Sequence, residues 1–413
     1  MNTLPQYAEV LVIGAGPSGA VAAANLVQKG HKVLVLERQV FPRFSIGESL
    51  LPQCMVFLEE ANMLEAVQAA NFQFKNGAAF RFGDHTGAFD FEKKFSPGWG
   101  TTFQVERAKF DKILADRAAE LGADIRYEYE ILAVTPTANG THDVKCKCPD
   151  GSVAQFQAGF ILDASGFGRV LPRLLELDRP SDFPVRQSVF THVRDNFEAE
   201  EFDRHKILVN VHPQHRDVWI WTIPFVDGRC SLGVVAEPAF FEGYRGTLLE
   251  KLQAIVAEVP HLSRIFKRAE FFMPAREILG YSANVSSLYG AGFALLGNAG
   301  EFLDPVFSSG VTIALKSASL ASELLHRQLI GESIDWQADY AEPLMVGVNV
   351  FRTFVSGWYN QDFQDVIFSQ KKSADITAMI SSILAGYAWD TRNPYVADSN
   401  RRLSVLAQVC REL

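Results

Sequence analysis

Residues 10–19 (VLVIGAGPSG) constrain this chain more than any other stretch. Four apolar residues run into Gly14, Gly16 and Gly19, and an alanine-rich segment follows. The pattern predicts a strand, a tight turn and the start of a helix. Gly14 suits the turn, Gly16 would let a pyrophosphate approach the backbone, and Gly19 would let helix and strand pack closely. Pro17 and Ser18 fall in the first helical turn, where a missing N–H costs nothing. There the free N–H groups and the positive dipole end favour an anion. Gly30 ends the helix, and residues 32–36 (KVLVL) read as a second buried parallel strand closing on Glu37, with Arg38 next. Glu37 lies roughly 20 residues beyond the glycines, where an acceptor for a ribose hydroxyl is expected. Strand, turn, helix, strand and acid in register predict a dinucleotide site.

The rest of the chain returns to that site twice. Residues 160–164 (FILDA) read as another parallel strand ending in Ser165-Gly166-Phe167-Gly168, and residues 293–296 (FALL) as a further one. The latter runs into GNAGEFLDPVFSSG (297–310) and an apolar 3.6-residue pattern from Val311 to Leu325, a helix ended by Gly331. Between them, VRQSVFTHV, KILVNV, VWIWTIPF and SLGVVAE (184–237) read as strands of an antiparallel sheet, with Pro, Asp and Gly turns between them. Residues 51–70, 104–121 and 248–259 read as helices, 72–82 as a strand, and 336–413 as mostly helical. The expected class is therefore α/β. A discontinuous Rossmann-like domain (1–72, 104–172 and 288–331) is interrupted by an antiparallel-sheet substrate domain (73–103 and 173–287), and 332–413 form a helical C-terminal region.

Length and charge narrow the classes. The 413 residues suffice for two or three substructures. Lys and Arg number 39 against 48 Asp and Glu, a net charge of −9, with no basic run, so nucleic acid is not an expected partner. Thirty-two phenylalanines suggest apolar pockets as well as an apolar core. The five cysteines (54, 146, 148, 230 and 410) have neither zinc-knuckle nor dithiol spacing and read as reduced structural thiols. No basic leader and no apolar stretch of about 20 residues is seen, so a cytoplasmic protein without a membrane span is expected. His212 and His215 lack a third ligand in register, so a solvated loop is expected there and no metal.

The fingerprint GAGPSG with Glu37, the turn DASGFG (163–168) and the loop 297–310 resemble the FAD-binding elements of flavoprotein monooxygenases with a p-hydroxybenzoate-hydroxylase-like, glutathione-reductase-like fold. Three further features resemble the flavin-dependent halogenases: FPRFSIGES (41–49), Lys75 in FQFKNGAAF, and Trp219-Ile220-Trp221-Thr222-Ile223-Pro224, which fits WxWxIP. The resemblance covers essentially the whole chain and is loosest in the tail.

It implies FAD held by Gly14, Gly16, Pro17, Ser18, Gly19, Glu37 and Arg38. Arg107 would lie by the diphosphate, Gly47 to Ser49 would form a strap beside the isoalloxazine, and Asp163, Gly297, Asn298 and Asp304 would line the ribityl chain. Ser309 and Gly310 would cradle chloride or bromide. In that family a flavin C4a-hydroperoxide oxidises halide to hypohalous acid, and a lysine, here Lys75, directs it to an aromatic carbon. By residue type alone Lys75 could be a lysine snorkelling from a strand; Phe72, Phe74 and Phe80 nearby would supply an apolar pocket that lowers its pKa. Trp219, Trp221, Pro224 and Phe307 would form the wall or tunnel between flavin and substrate, although two indoles at i and i+2 could also be plain core.

Phe307 stands where tryptophan-specific members carry a glutamate. The resemblance therefore implies an electron-rich phenol or pyrrole, free or tethered to a carrier protein. An acidic carrier would find a basic landing patch only at Arg401-Arg402 and Lys371-Lys372. With one dinucleotide fingerprint, FADH2 is expected from a separate flavin reductase. Two alternatives stand beside this expectation: an aromatic hydroxylase or dehydrogenase of the same fold, and a non-catalytic flavin-binding component of a biosynthetic complex.

Overall fold

The computed structural model describes residues 5–198, 202–370 and 372–412; Lys371 lies outside the described residues. The strand Gln6–Ile13 lies inside the larger sheet, parallel to Val33–Glu37 on one side and Val153–Asp163 on the other. Asp124–Tyr127 and Phe293–Leu295 extend the parallel part at either end. All five residues of Val33–Glu37 are buried, as a strand covered on both faces must be. The helices Pro17–Gln28 and Ser309–Leu329 pack together on this sheet, with Asn25 Nδ2 donating to Ser322 Oγ at 3.2 Å. Two turns from opposite ends of the chain are thereby brought to one edge.

The second sheet has the order Arg276–Leu279, Gln187–Arg194, Arg229–Ala236, Trp219–Pro224, Lys206–Val211, Gly77–Phe82, His85–Asp90. It is antiparallel except that Gly77–Phe82 runs parallel to Lys206–Val211. Every residue of Trp219–Pro224 is buried. Ile220 packs with Leu208, Leu232 and the helix Leu248–Glu258 on one face, while Trp219, Trp221 and Ile223 join the main core on the other. The helix Glu342–Tyr359 contributes Phe351, Phe354 and Trp358 to that same core, all fully buried.

Three expectations are corrected. Residues 51–70 form two short helices, Cys54–Glu60 and Leu64–Ala69, because the chain passes through a left-handed turn at Asn62 (φ +56°). Residues 72–82 form two strands in two sheets: Gln73–Lys75 pairs only with Thr102–Gln104, and Gly77–Phe82 joins the large second sheet. Gln104, expected to start a helix, ends that small ladder, and the helix begins at Arg107.

Candidate active site

Both returning turns open on one cavity of about 480 Å³, within the range of small-molecule sites. Its lining includes Gly14, Gly16, Pro17 and Ser18, with Glu37 and Arg38. The Glu37 carboxylate is fixed by the Ala15 N–H and the Gln39 N–H, each at 2.8 Å. Gly14 has φ +95°, which strongly favours glycine. Gly19 does not reach the cavity. A Cβ there would lie 1.9 Å from the Gly14 carbonyl oxygen, so its absence is what lets helix and turn touch.

Arg107 lines the cavity as expected, and so does Arg43, which the sequence did not single out. One buried carboxylate positions both. Asp111 takes Arg107 Nε at 2.7 Å and Nη2 at 3.0 Å, and Arg43 Nη1 at 3.2 Å. Arg43 Nη2 stands 3.3 Å from where a Gly16 Cβ would be, so a guanidinium faces the helix N-terminus. A bare glycine cradle, two arginines and a helix dipole are the donor set a diphosphate needs, and FAD fits these residues.

The strap 47–49 lines the cavity as well. It is sewn to the small ladder by Val105 N–H to Glu48 O (2.7 Å), Leu50 N–H to Phe103 O (3.1 Å) and a bridge between Ser49 and Gln104. Glu48 is buried and meets His192 Nε2, on the second sheet, at 2.6 Å, a contact with no sequence signal. Asn298, Phe302, Ser308 and Gly310 also line the cavity, as do Trp219, Trp221 and Ile223. Ser308 takes the left-handed conformation (φ +57°) that turns the chain into the next helix. Ser309 itself is buried away from the cavity, so Ser308 and Gly310 are the residues presented there.

Five other expected cofactor or wall residues do not line it. Asp163 caps its own turn, accepting from Ser165 N–H (2.9 Å) and Leu171 N–H (2.7 Å), and Gly297 N–H is taken by Ser317 Oγ (2.9 Å). Pro224 closes its strand outside the cavity. Asp304 faces away to accept from Val306 N–H (3.0 Å) and Tyr359 O–H (2.8 Å), and burial pushes its carboxyl up to about 6. Phe307 also points elsewhere, against Trp358 and Phe363 with ring centroids 5.9 and 5.3 Å away.

Lys75 is fully buried and outside the cavity, yet joined to its wall. Its Nζ donates to Ser49 Oγ at 2.8 Å and to Leu50 O at 2.7 Å, and Ser49 is a lining residue. No carboxylate lies within ion-pair distance of it among the described residues, and desolvation lowers its pKa to about 7. The ring near the amine is Phe91, 5.4 Å from its centroid. The expected neighbours are elsewhere: Phe72 sits by Phe110, Phe74 is exposed beside His205, and Phe80 contacts Phe89 and Trp358. His212 is also a correction, being fully buried and bonded to Glu258 Oε2 at 3.1 Å; only His215 is exposed. No helix among the described residues is long and apolar enough to cross a membrane.

The FAD-binding domain family matches residues 7–230. The 1H-pyrrole-2-carbonyl-(peptidyl-carrier protein) chlorinase of Pseudomonas fluorescens is 32% identical over 337 residues, 76% of this chain and 74% of that protein. A solved flavoprotein/dehydrogenase from Cytophaga hutchinsonii is 44% identical with TM-score 0.95, covering 98% of this chain and 99% of that one. The solved flavin-dependent brominase Bmp2 has TM-score 0.84 over 99% and 100% of the two chains; at 23% identity it speaks for the fold.

Proposed function

The chain belongs to the flavin-dependent halogenases, FAD-dependent enzymes, and from that premise we propose that it halogenates an electron-rich phenol or pyrrole with Lys75 as the directing group. The observation that carries this reading is the double role of Ser49, which lines the cofactor cavity and holds the amine of a lysine sealed from it. Reduced FAD with oxygen supplies the oxidising equivalent that turns halide into hypohalous acid. The chain's own residues do the rest. Gly14, Gly16, Arg43 and Arg107 bind the diphosphate, Glu37 takes the ribose, and the helix start at Ser308 and Gly310 holds the halide. Trp219 and Trp221 keep organic substrate off the flavin. Lys75 receives the oxidant where the pocket is apolar.

Phe307 puts no carboxylate at the position where tryptophan-specific halogenases carry a glutamate, which suits a ring whose own OH or NH supplies the electron push. The pyrrole-carrier chlorinase supports a tethered substrate, and the absence of a second dinucleotide fingerprint supports a separate flavin reductase. Purified protein with FAD, a flavin reductase, NADH, bromide and a panel of phenols and pyrroles, free or carrier-bound, should yield products with the bromine isotope pair. Products heavier by one oxygen, or lighter by two hydrogens, across the panel would favour the hydroxylase or dehydrogenase reading, to which the name of the Cytophaga protein lends weight.

The wall makes its own prediction. Trp221 lies across Gly233, where a Cβ would sit 2.2 Å from the indole. Gly233→Ala should cost about 1–3 kcal/mol by overpacking. It should also raise the hydrogen peroxide released per reduced flavin, read by thermal melting and a peroxidase-coupled assay. An unchanged peroxide yield would remove Trp221 from the wall.

A further inference from the structure

Tyr359 closes the helix Glu342–Tyr359 and joins two parts of the site that are far apart in sequence. Its hydroxyl meets Trp219 Nε1 at 3.1 Å and Asp304 Oδ2 at 2.8 Å. An indole N–H can only donate, so the Tyr359 oxygen accepts from Trp219 and its own proton goes to Asp304. Asp304 in turn takes the Val306 N–H, in the loop that runs into Ser308 and Gly310. The Arg186 guanidinium, 4.0 Å from the Tyr359 ring centroid and paired with Asp217 at 3.1 Å, holds the ring from its face. Trp221 is secured differently, inside its own sheet, by Ser231 Oγ at 3.0 Å. One half of the wall therefore belongs to the sheet. The other half hangs on the helix Glu342–Tyr359.

We propose that Tyr359 is a positioning residue: with Asp304 it latches Trp219 across the cavity and ties the wall to the loop before the halide cradle, so that oxidant is kept until it is used. This rests on the halogenase reading. When the oxidising equivalent is lost before halide takes it, reduced flavin has passed two electrons and two protons to oxygen, and free hydrogen peroxide is the product that reports it.

Tyr359→Phe keeps the ring under Arg186 and removes both hydrogen bonds; Trp219→Phe removes the same latch from the other end. In flavin-free protein labelled with 15N-tryptophan, the indole signal that Trp219→Phe deletes should exchange its N–H about tenfold faster in Tyr359→Phe. In enzyme loaded with reduced FAD and mixed with oxygen and bromide, each single variant should release peroxide about fivefold faster, the size of one ordinary hydrogen bond. The double variant should be no worse than either single, because both break one latch. Additive effects, or unchanged exchange, would overturn the latch. Should Tyr359→Phe fail to fold, Trp219→Phe alone must still raise peroxide release, and a wild-type rate there is equally fatal. Exchange in the flavin-free protein decides the latch even if the wild type halogenates nothing, so the two readings fail separately.

Discussion

Lys75→Ala is expected to lower halogenation by about 10³-fold or more while FAD still binds, because the group proposed to receive the oxidant is lost and the cavity is not. Product mass spectrometry and flavin titration read the two sides, and surviving activity would remove Lys75 from the chemistry. Ser49 Oγ and Leu50 O take two N–H groups of the amine, and with its pKa lowered to about 7 its neutral form is populated near neutral pH. The amine can then attack hypohalous acid, with an N–halogen bond formed, the O–halogen bond broken and water leaving. With the pKa lowered to about 7, product formation should rise with pH through that value. A fall over the same interval would assign the ammonium as a hydrogen-bond donor.

Stability should move with the same titration, in the sign set by linkage. The unfolded lysine is protonated below its ordinary 10.5, whereas the native amine is neutral until about 7. Between those values the unfolded state binds the extra proton, so native stability falls as pH is lowered, and the loss is complete below 7. At 1.36 kcal/mol per unit the penalty is on the order of 4–5 kcal/mol. Lys75→Met escapes it and loses two hydrogen bonds, for a net gain of about 1–3 kcal/mol at pH 6. That gain should fade by pH 10 in denaturant titrations. A lysine kept at such a cost fits a functional role.

Gly19→Ala and Gly16→Ala should separate two kinds of glycine in one fingerprint. At Gly19 the new methyl would meet a backbone oxygen at 1.9 Å, which cannot move without dismantling the turn. Loss of FAD binding by about 100-fold or more, and a lower melting temperature of the flavin-free protein, are expected together. At Gly16 the neighbour is the flexible Arg43 head at 3.3 Å, so the flavin-free protein should melt as wild type while FAD binding weakens through lost backbone approach. Equal melting temperatures for both variants would contradict this account.

Much of this was legible in one dimension because it depends on local backbone chemistry. A strand running into GAGPSG needs a left-handed Gly14 and a helix start, and Glu37 sits one strand further on, where a parallel pairing must bring it back. The second sheet was legible for the same reason, as apolar runs between turn residues. The parallel pairing of Gly77–Phe82 and the separation of Lys75 into its own ladder were not, because register and sheet membership depend on distant partners, Lys206–Val211 for the first and Thr102–Gln104 for the second.

The residue types of the site were thus determined by the sequence: the glycines, Glu37, Lys75, and the two tryptophans of one strand. Tertiary structure alone decided which of them face the cavity. Asp163 and Asp304 were expected there and turn inward, because a buried carboxylate goes where N–H and O–H donors satisfy it. Arg43 enters because Asp111, on a distant helix, aims it. Tyr359 and His192 matter only through contacts that span 55 to 144 residues, and no local pattern records which donor will meet which acceptor once the chain has closed.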